Sequence, residues 1–313
     1  MEKFQKYVFP RFLSPGDTIG VIAPASAAPR SPIIRGVNYL VSRGYHVKNA
    51  ASLVKRKYYL AGSDEERKRI LEEFVLDPEV TGVFCARGGY GVLRILDRLD
   101  YSRLGKVTPK MIVGYSDITG LHLALLSRLG WIGYSGPMVA SDLGNNFDPF
   151  SERWFWRIIS QHPYPLVLEN PEDEEMHVWR PGIAEGTLLG GCLSIITVLL
   201  GTPYLPPLKG TILLIEDIGE KTYRLDKQLQ ALRLHGVFDE IAGLLVGRFV
   251  KCFPRNSVLS FSLEELLKEI IGEYDFPVVT NLAYGHIRRR LTIPIGARVR
   301  LETDPVKVTI LGA

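Results

Sequence analysis

The chain has 313 residues, 46% hydrophobic and 23% charged, the balance of a globular protein with room for one large domain or two medium ones. Thirty-eight Lys and Arg stand against 34 Asp and Glu, a dispersed +4 that argues against nucleic-acid binding. Three cysteines, Cys85, Cys192 and Cys252, with no CxxC, argue against a disulfide framework or a zinc site.

The opening stretch MEKFQKYVFPRFLSPGD has no apolar signal core, and no run approaches the roughly 20 apolar residues of a membrane span. A cytoplasmic protein without a membrane partner is expected. TIGVIAPAS (Thr18 to Ser26) reads as a buried parallel strand running into a loop. SPIIRGVNYLVSRG has helical spacing, with Ser31 as N-cap, Pro32 in the first turn and Gly44 as the stop. YHVKNA is a second strand, and SDEERKRILEEFVLDPEV a helix with a serine cap and an acidic first turn. TGVFCA, the loop RGGYG and the helix VLRILDRLD follow, then KMIVGYS and the helix DITGLHLALLSRLG. Strand, loop and helix, four times over, predict a parallel sheet flanked by helices. Ligands of such sheets bind beyond the carboxyl ends of the strands, where Ser26, Arg87 to Gly91, and Ser116 lie.

Beyond Asp142 the composition shifts to Pro, Asn, acid and Trp. The expected division is an α/β domain over 1–165, a linker over 166–185 and a mixed β domain over 186–313. The last part offers a turn-helix GGCLSIITVLLG, a strand GTILLIED, a helix YRLDKQLQALRLHG, a strand IAGLLVG, a helix SLEELLKEIIGEY and four short strands, a smaller mixed sheet with helices.

Ser116 sits in GYSDI, where a strand turns into a helix. Such a turn can present a hydroxyl beside free N–H groups. The second glycine of G-x-S-x-G is missing, and the plain alternative is that Ser116 or Asp117 caps the helix. CARGGYG lacks the G-x-G-x-x-G spacing of a dinucleotide site, so its bare backbone suits approach to a substrate or an oxyanion; a tight turn is the plain alternative. Cys85 reads as a buried strand residue. Six histidines are candidate bases: His46, His122, His162, His177, His235 and His286. His286 alone lies on a glycine-flanked loop beside strands in the second half. Glu216, Asp217 and Glu220 follow a buried strand and are candidate orienting carboxylates. No histidine pair has metal-ligand spacing and the glycine loop lacks the dinucleotide spacing, so neither a metal nor a dinucleotide cofactor is expected. Trp154 and Trp156 are either core or an aromatic recognition surface.

The pieces GDTIGVIAPAS, ARGGYG, GYSD, EGTLLGG, LLIEDIGE, YRLDKQLQALRLHGVFD, and GH followed after five residues by TIPIG, in that order, resemble the LD-carboxypeptidases. These include muramoyltetrapeptide carboxypeptidases and microcin C self-immunity peptidases. The resemblance implies a flavodoxin-like N-terminal α/β domain, a smaller β-rich C-terminal domain, an active site in the cleft between them, and a homodimer. It implies Ser116 as nucleophile, His286 as general base and acid, Glu216 as its orienting carboxylate, and the N–H groups of Gly89 and Asp117 as oxyanion donors. Arg87, with Gly88 and Tyr90 beside it, is the expected grip on the terminal carboxylate of a murein tetrapeptide. Glu220 stays a rival to Glu216. Ile287 and Arg288–Arg290 depart from the polar, Pro/Asn-containing stretch the family leads one to expect. Cleavage of a peptidyl-nucleotide antibiotic, or ligand binding without catalysis, are the alternative functions.

Overall fold

The computed structural model describes residues 6–50, 53–160, 164–254 and 260–313. The chain divides into two compact units. The first runs to Pro163 and takes back Thr292–Gly296; the second holds Tyr164–Leu291 and Ala297–Gly312.

In the first unit the elements are β1 (Thr18–Ile22), α1 (Arg30–Ser42), β2 (His46–Asn49), α2 (Asp64–Leu76), β3 (Val80–Cys85), α3 (Tyr101–Leu104), β4 (Met111–Val113), α4 (Ile118–Leu129), β5 (Gly133–Ser135) and α5 (Pro149–Ser160). The strands lie in the order β2-β1-β3-β4-β5, all parallel, which is the flavodoxin-like arrangement. The order reverses between β1 and β3, the switch point at whose carboxyl ends sheets of this kind place their ligands. β1, β3 and β4 are buried almost throughout, and Ile118 to Leu126 of α4 are buried on every side. α2 begins with the expected serine cap, which the structure shows as a full capping box, Ser63 and Glu66 each bonding the other's backbone N–H.

Three local readings differ. α1 starts at Arg30 after Pro29, and the Ser31 hydroxyl accepts from Arg35 Nη1 (2.6 Å) in place of capping. VLRILDRLD is not one helix but two turns of 3₁₀, Val92–Arg94 and Leu96–Arg98, before α3. Polar side chains break the run: Asp117 takes the Val92 N–H, Glu72 takes that of Asp100, and Asp100 caps α3. The Trp-rich stretch forms α5. Trp156 is buried, stacks on Tyr45 at 5.2 Å and donates to Tyr39 Oη, and Trp154 is 2% exposed, so both belong to the core.

The second unit contains β6 (Leu166–Leu168), β7 (His177–Arg180), β8 (Ile183–Cys192), α6 (Leu193–Leu199), β9 (Thr211–Ile218), α7 (Thr222–Leu234), α8 (Val237–Glu240), β10 (Gly243–Val250), α9 (Leu263–Ile271) and β11 (Val278–Thr280), with β13 (Arg298–Thr303) and β14 (Val306–Gly312). Its sheet, order β6-β14-β13-β8-β9-β10-β11-β7, has eight strands against six in the first unit, where a smaller sheet is expected. β8 to β11 are parallel and the flanking pairs antiparallel. The stretch 166–185, expected as a linker, supplies both edge strands, β6 and β7, and the start of β8. The partner of β6, β14, comes 140 residues or more later and that of β7, β11, about a hundred, so local patterning carries no trace of the pairing. TIPIG also differs: β12 (Ile293–Ile295) pairs antiparallel with β5 in the first unit. Pro294, which lacks a donor, is tolerated there because the strand is an edge.

Candidate active site

In the first unit the candidate residues gather at the carboxyl ends of β1, β3 and β4. The chain leaves β4 through Gly114, where a Cβ would stand 3.0 Å from Ile118 Cγ1 and 3.1 Å from Cys85 Cβ. Ser116 then adopts φ +65°, a left-handed conformation that costs a non-glycine residue of order 1–3 kcal/mol. It reverses the chain so that α4 begins two residues later. Neither Ser116 nor Asp117 caps the helix. Asp117 is already helical, makes no cap bond, and accepts the Val92 N–H at 2.8 Å. Burial pushes its carboxyl up to about 6, against the opposing pull of Val92 and Arg67.

Beneath this turn lies His122, a histidine whose sequence position reads only as helix. Its Nε2 donates to the Gly114 carbonyl at 2.8 Å, and a Cβ on Gly133 would stand 2.1 Å from its Nδ1. Desolvation lowers its pKa to about 4 from 6.5. The unfolded state therefore binds this proton first, so the stabilisation is present above 6.5 and lost as pH falls towards 4. Asp117, raised from 3.8, contributes in the opposite sense and favours the fold as pH falls through about 6. The difference in unfolding free energy between wild type and His122→Gln is expected to widen by about 2–3 kcal/mol from about pH 4.5 to about pH 7. Urea titrations at the two pH values measure it; an unchanged difference would show that the ring does not titrate with folding.

The glycine loop closes on the same point. A Cβ on Gly88 would lie 2.9 Å from Ser116 Cβ and 3.3 Å from its Oγ, so only a bare backbone comes this near the hydroxyl. Gly89 has φ +99°, and a Cβ there would meet Ser26 Oγ at 2.5 Å. Ser26, buried after β1, donates its N–H to the Gly88 carbonyl (3.1 Å) and accepts the Tyr90 N–H on its hydroxyl (3.0 Å). Among the described residues, neither the Gly89 nor the Asp117 N–H donates a hydrogen bond within the protein. Arg87 is exposed and donates to the Ala27 carbonyl (3.2 Å), and Tyr90 meets the exposed Tyr59 edge to face at 5.5 Å. Cys85 is fully buried, and burial drives its thiol far above the range where a thiolate forms.

In the second unit the three acids after β9 separate into distinct roles. Glu216 is 1% exposed and accepts from His286 Nδ1 at 2.7 Å. A carboxylate accepts, so the neutral ring carries its proton on Nδ1 and presents a lone pair at Nε2. Gly285 permits this approach: at φ +118°, a Cβ there would stand 2.7 Å from Glu216 Oε2. Asp217 points to the other face of the strand and accepts the Ser194 N–H (2.7 Å) at the start of α6. Glu220 pairs with Arg224 at 3.5 Å. The three arginines after His286 also part company. Arg288 is exposed, Arg289 forks onto Asp173 at 2.6 and 2.9 Å and pairs with Glu174, and Arg290 is buried and donates to the Ile287 carbonyl. Glu174 also takes Arg248, and Asn170 bonds both Asn281 and Ala283, so the 170–175 segment clasps the loop that bears His286. Of the other histidines, His46, His177 and His235 are exposed, and His162 lies outside the described residues.

The arrangement can thus supply a strained, accessible hydroxyl next to bare N–H groups in one unit, and a carboxylate-oriented imidazole in the other. Residues 19–136 match the LD-carboxypeptidase N-terminal domain, and residues 185–301 the LD-carboxypeptidase C-terminal domain. The chain is similar to a probable murein peptide carboxypeptidase of Bacillus subtilis, 37% identical over 295 residues, 94% of this chain and 91% of that one. It is 32% identical over 294 residues to the murein tetrapeptide carboxypeptidase of Pseudomonas aeruginosa, covering 92% and 94%. The crystal structure of a muramoyltetrapeptide carboxypeptidase from Oxalobacter formigenes superposes with a TM-score of 0.82 at 32% identity, over 95% of this chain and 99% of that one. The microcin C7 self-immunity protein MccF of Escherichia coli is 26% identical over 326 residues, 95% of this chain and 94% of that one.

Proposed function

The chain belongs to the LD-carboxypeptidase family, and from that membership we propose that it is a serine carboxypeptidase that releases the terminal D-alanine of murein tetrapeptides. The observation that carries the reading is Ser116 held at φ +65° against a glycine loop, since backbone strain of this kind collects where chemistry needs it. Ser116 Oγ attacks the carbonyl carbon of the amide joining the diamino acid to D-alanine. His286 Nε2 takes its proton, and Glu216 fixes the ring and stabilises the imidazolium. The oxyanion accepts from the N–H groups of Gly89 and Asp117, and the start of α4 adds a favourable dipole. His286 then protonates the leaving amine, and water, deprotonated by the same nitrogen, releases the acyl group.

An exopeptidase must hold the terminal carboxylate. Arg87 suits that task, with one guanidinium N–H on Ala27 and the rest of its fork free to face a carboxylate beside Gly88 and Tyr90. A cytoplasmic, homodimeric enzyme working on recycled cell-wall peptides is the setting that the family resemblance supports. Among the described residues no helix is long and apolar enough to cross a membrane.

A second reading, cleavage of an aminoacyl-nucleotide, draws on the exposed Tyr59–Tyr90 pair, an aromatic edge at the glycine loop on which a base can stack. Mass spectrometry separates the two. Incubated with a murein tetrapeptide, the protein is expected to remove one alanine, with kcat/KM at least about tenfold above that for an aminoacyl sulfamoyl adenosine. No alanine loss, or the reverse preference, would overturn the first reading.

A further inference from the structure

We propose that Arg67 is a positioning residue for the oxyanion loop. Its buried guanidinium ties the loop after β1 to the loop after β3, and so sets where the Gly89 N–H points. The inference rests on the reading of Ser116 as nucleophile and Gly89 as oxyanion donor.

Arg67 occupies the first turn of α2, where a positive charge opposes the helix dipole, and it is the largest fully buried side chain among those described. A buried cation is costly unless its donors are satisfied; here Nη1 and Nη2 find their partners chiefly in the site, while Nε is buried without one among the described residues. Nη1 donates to the carbonyls of Pro24 and Gly91, the latter at 2.8 Å, and Nη2 donates to Asp64 at 2.5 Å. Asp64 is itself shared with Arg94, whose Nε and Nη2 reach it at 2.7–3.1 Å. Gly91 is needed for the approach: at φ +132°, a Cβ there would stand 2.9 Å from Arg67 Nη1 and 2.7 Å from Leu60 Cδ2.

The two loops sit at the switch point of the sheet, where neighbouring connections diverge to opposite faces and share no ladder. Ser26 tethers Gly88 and Tyr90 from one side, and Asp117 tethers Val92 from the other. Arg67 takes one carbonyl from each loop, Pro24 and Gly91, the latter also accepting the Arg94 N–H. Gly89 therefore lies in a short span fixed on both sides, with Ser116 and Asp117 on the adjoining turn. A lysine keeps the charge but, as a single point donor, cannot serve two carbonyls and a carboxylate with the same fork.

The test is Arg67→Gln and Arg67→Lys, each with the thermal midpoint measured and active sites counted by a fluorophosphonate that labels Ser116. In both variants kcat per labelled site is expected to fall about 30- to 100-fold with KM within about threefold, the split left by a misplaced oxyanion donor. Affinity for a peptide boronate, whose adduct is tetrahedral, should fall by the same factor as kcat. A folded variant whose kcat per labelled site stays within about twofold of wild type would overturn the proposal, since a purely structural arginine changes the folded fraction and not the rate per folded site. Should Arg67→Gln fail to fold, Arg67→Lys decides on the same criterion. Absence of a Ser116 adduct in the wild type would instead overturn the nucleophile assignment.

Discussion

Ser116→Ala is expected to lower kcat on a murein tetrapeptide by at least about 10⁴-fold, with peptide binding preserved, because the oxyanion donors and the base then have no nucleophile to serve. The variant should keep its stability within roughly 0.5 kcal/mol. Serine and alanine share a Cβ, so both bear the same left-handed strain at φ +65°. A steady-state assay with titrated protein and a calorimetric binding isotherm separate the two effects. If the variant keeps more than about a hundredth of the wild-type rate, the nucleophile lies elsewhere.

Glu216→Gln should be nearly as damaging, about 10³- to 10⁴-fold in kcat, with KM little changed. The amide is close to the carboxylate in shape, and at 1% exposure there is little room for it to leave. It can donate to His286 Nδ1, however, and that drives the ring proton to Nε2, the nitrogen that must accept from the serine. Glu220→Gln is the control. Glu220 pairs with Arg224 and should leave kcat within about twofold. Equal losses at the two positions would remove Glu216 from its assigned role.

Much of the first unit is legible in the sequence because its information is local. Buried β-branched runs, the Ser63 capping box and the glycines after β3 each report their own neighbourhood. The same locality explains what escapes. The edge strands β6 and β7 look irregular because their partners are a hundred residues or more away, and an edge strand carries a weak pattern of its own. VLRILDRLD has helical spacing, but side-chain caps from elsewhere in the chain interrupt it.

The candidate site shows the same division. Three acids within five residues cannot be ranked from spacing; the pairing of Glu216 with His286, 70 positions apart, ranks them. Whether Ser116 is a cap or an elbow is a question of its φ angle, which the missing second glycine of the motif leaves open. Arg67 gives no signal in the sequence, and His122 stands there only as one of six histidines, set inside a helix. A histidine inside an apolar helix and an arginine in a charged one are ordinary in composition, and only the atoms they touch, the carbonyls of Gly114, Pro24 and Gly91, set them apart.

β12 has a consequence for dissecting the protein. A fragment cut after Pro163 would lack Ile293–Ile295 and leave β5 with an open hydrogen-bonding edge, a template for self-association. The complementary fragment would keep those three residues, two of them isoleucines, with no sheet to join. Deletion libraries should therefore yield soluble halves only when a linker carries residues 292–296 back to the first, and the cut that looks natural from the sequence is one that neither half tolerates.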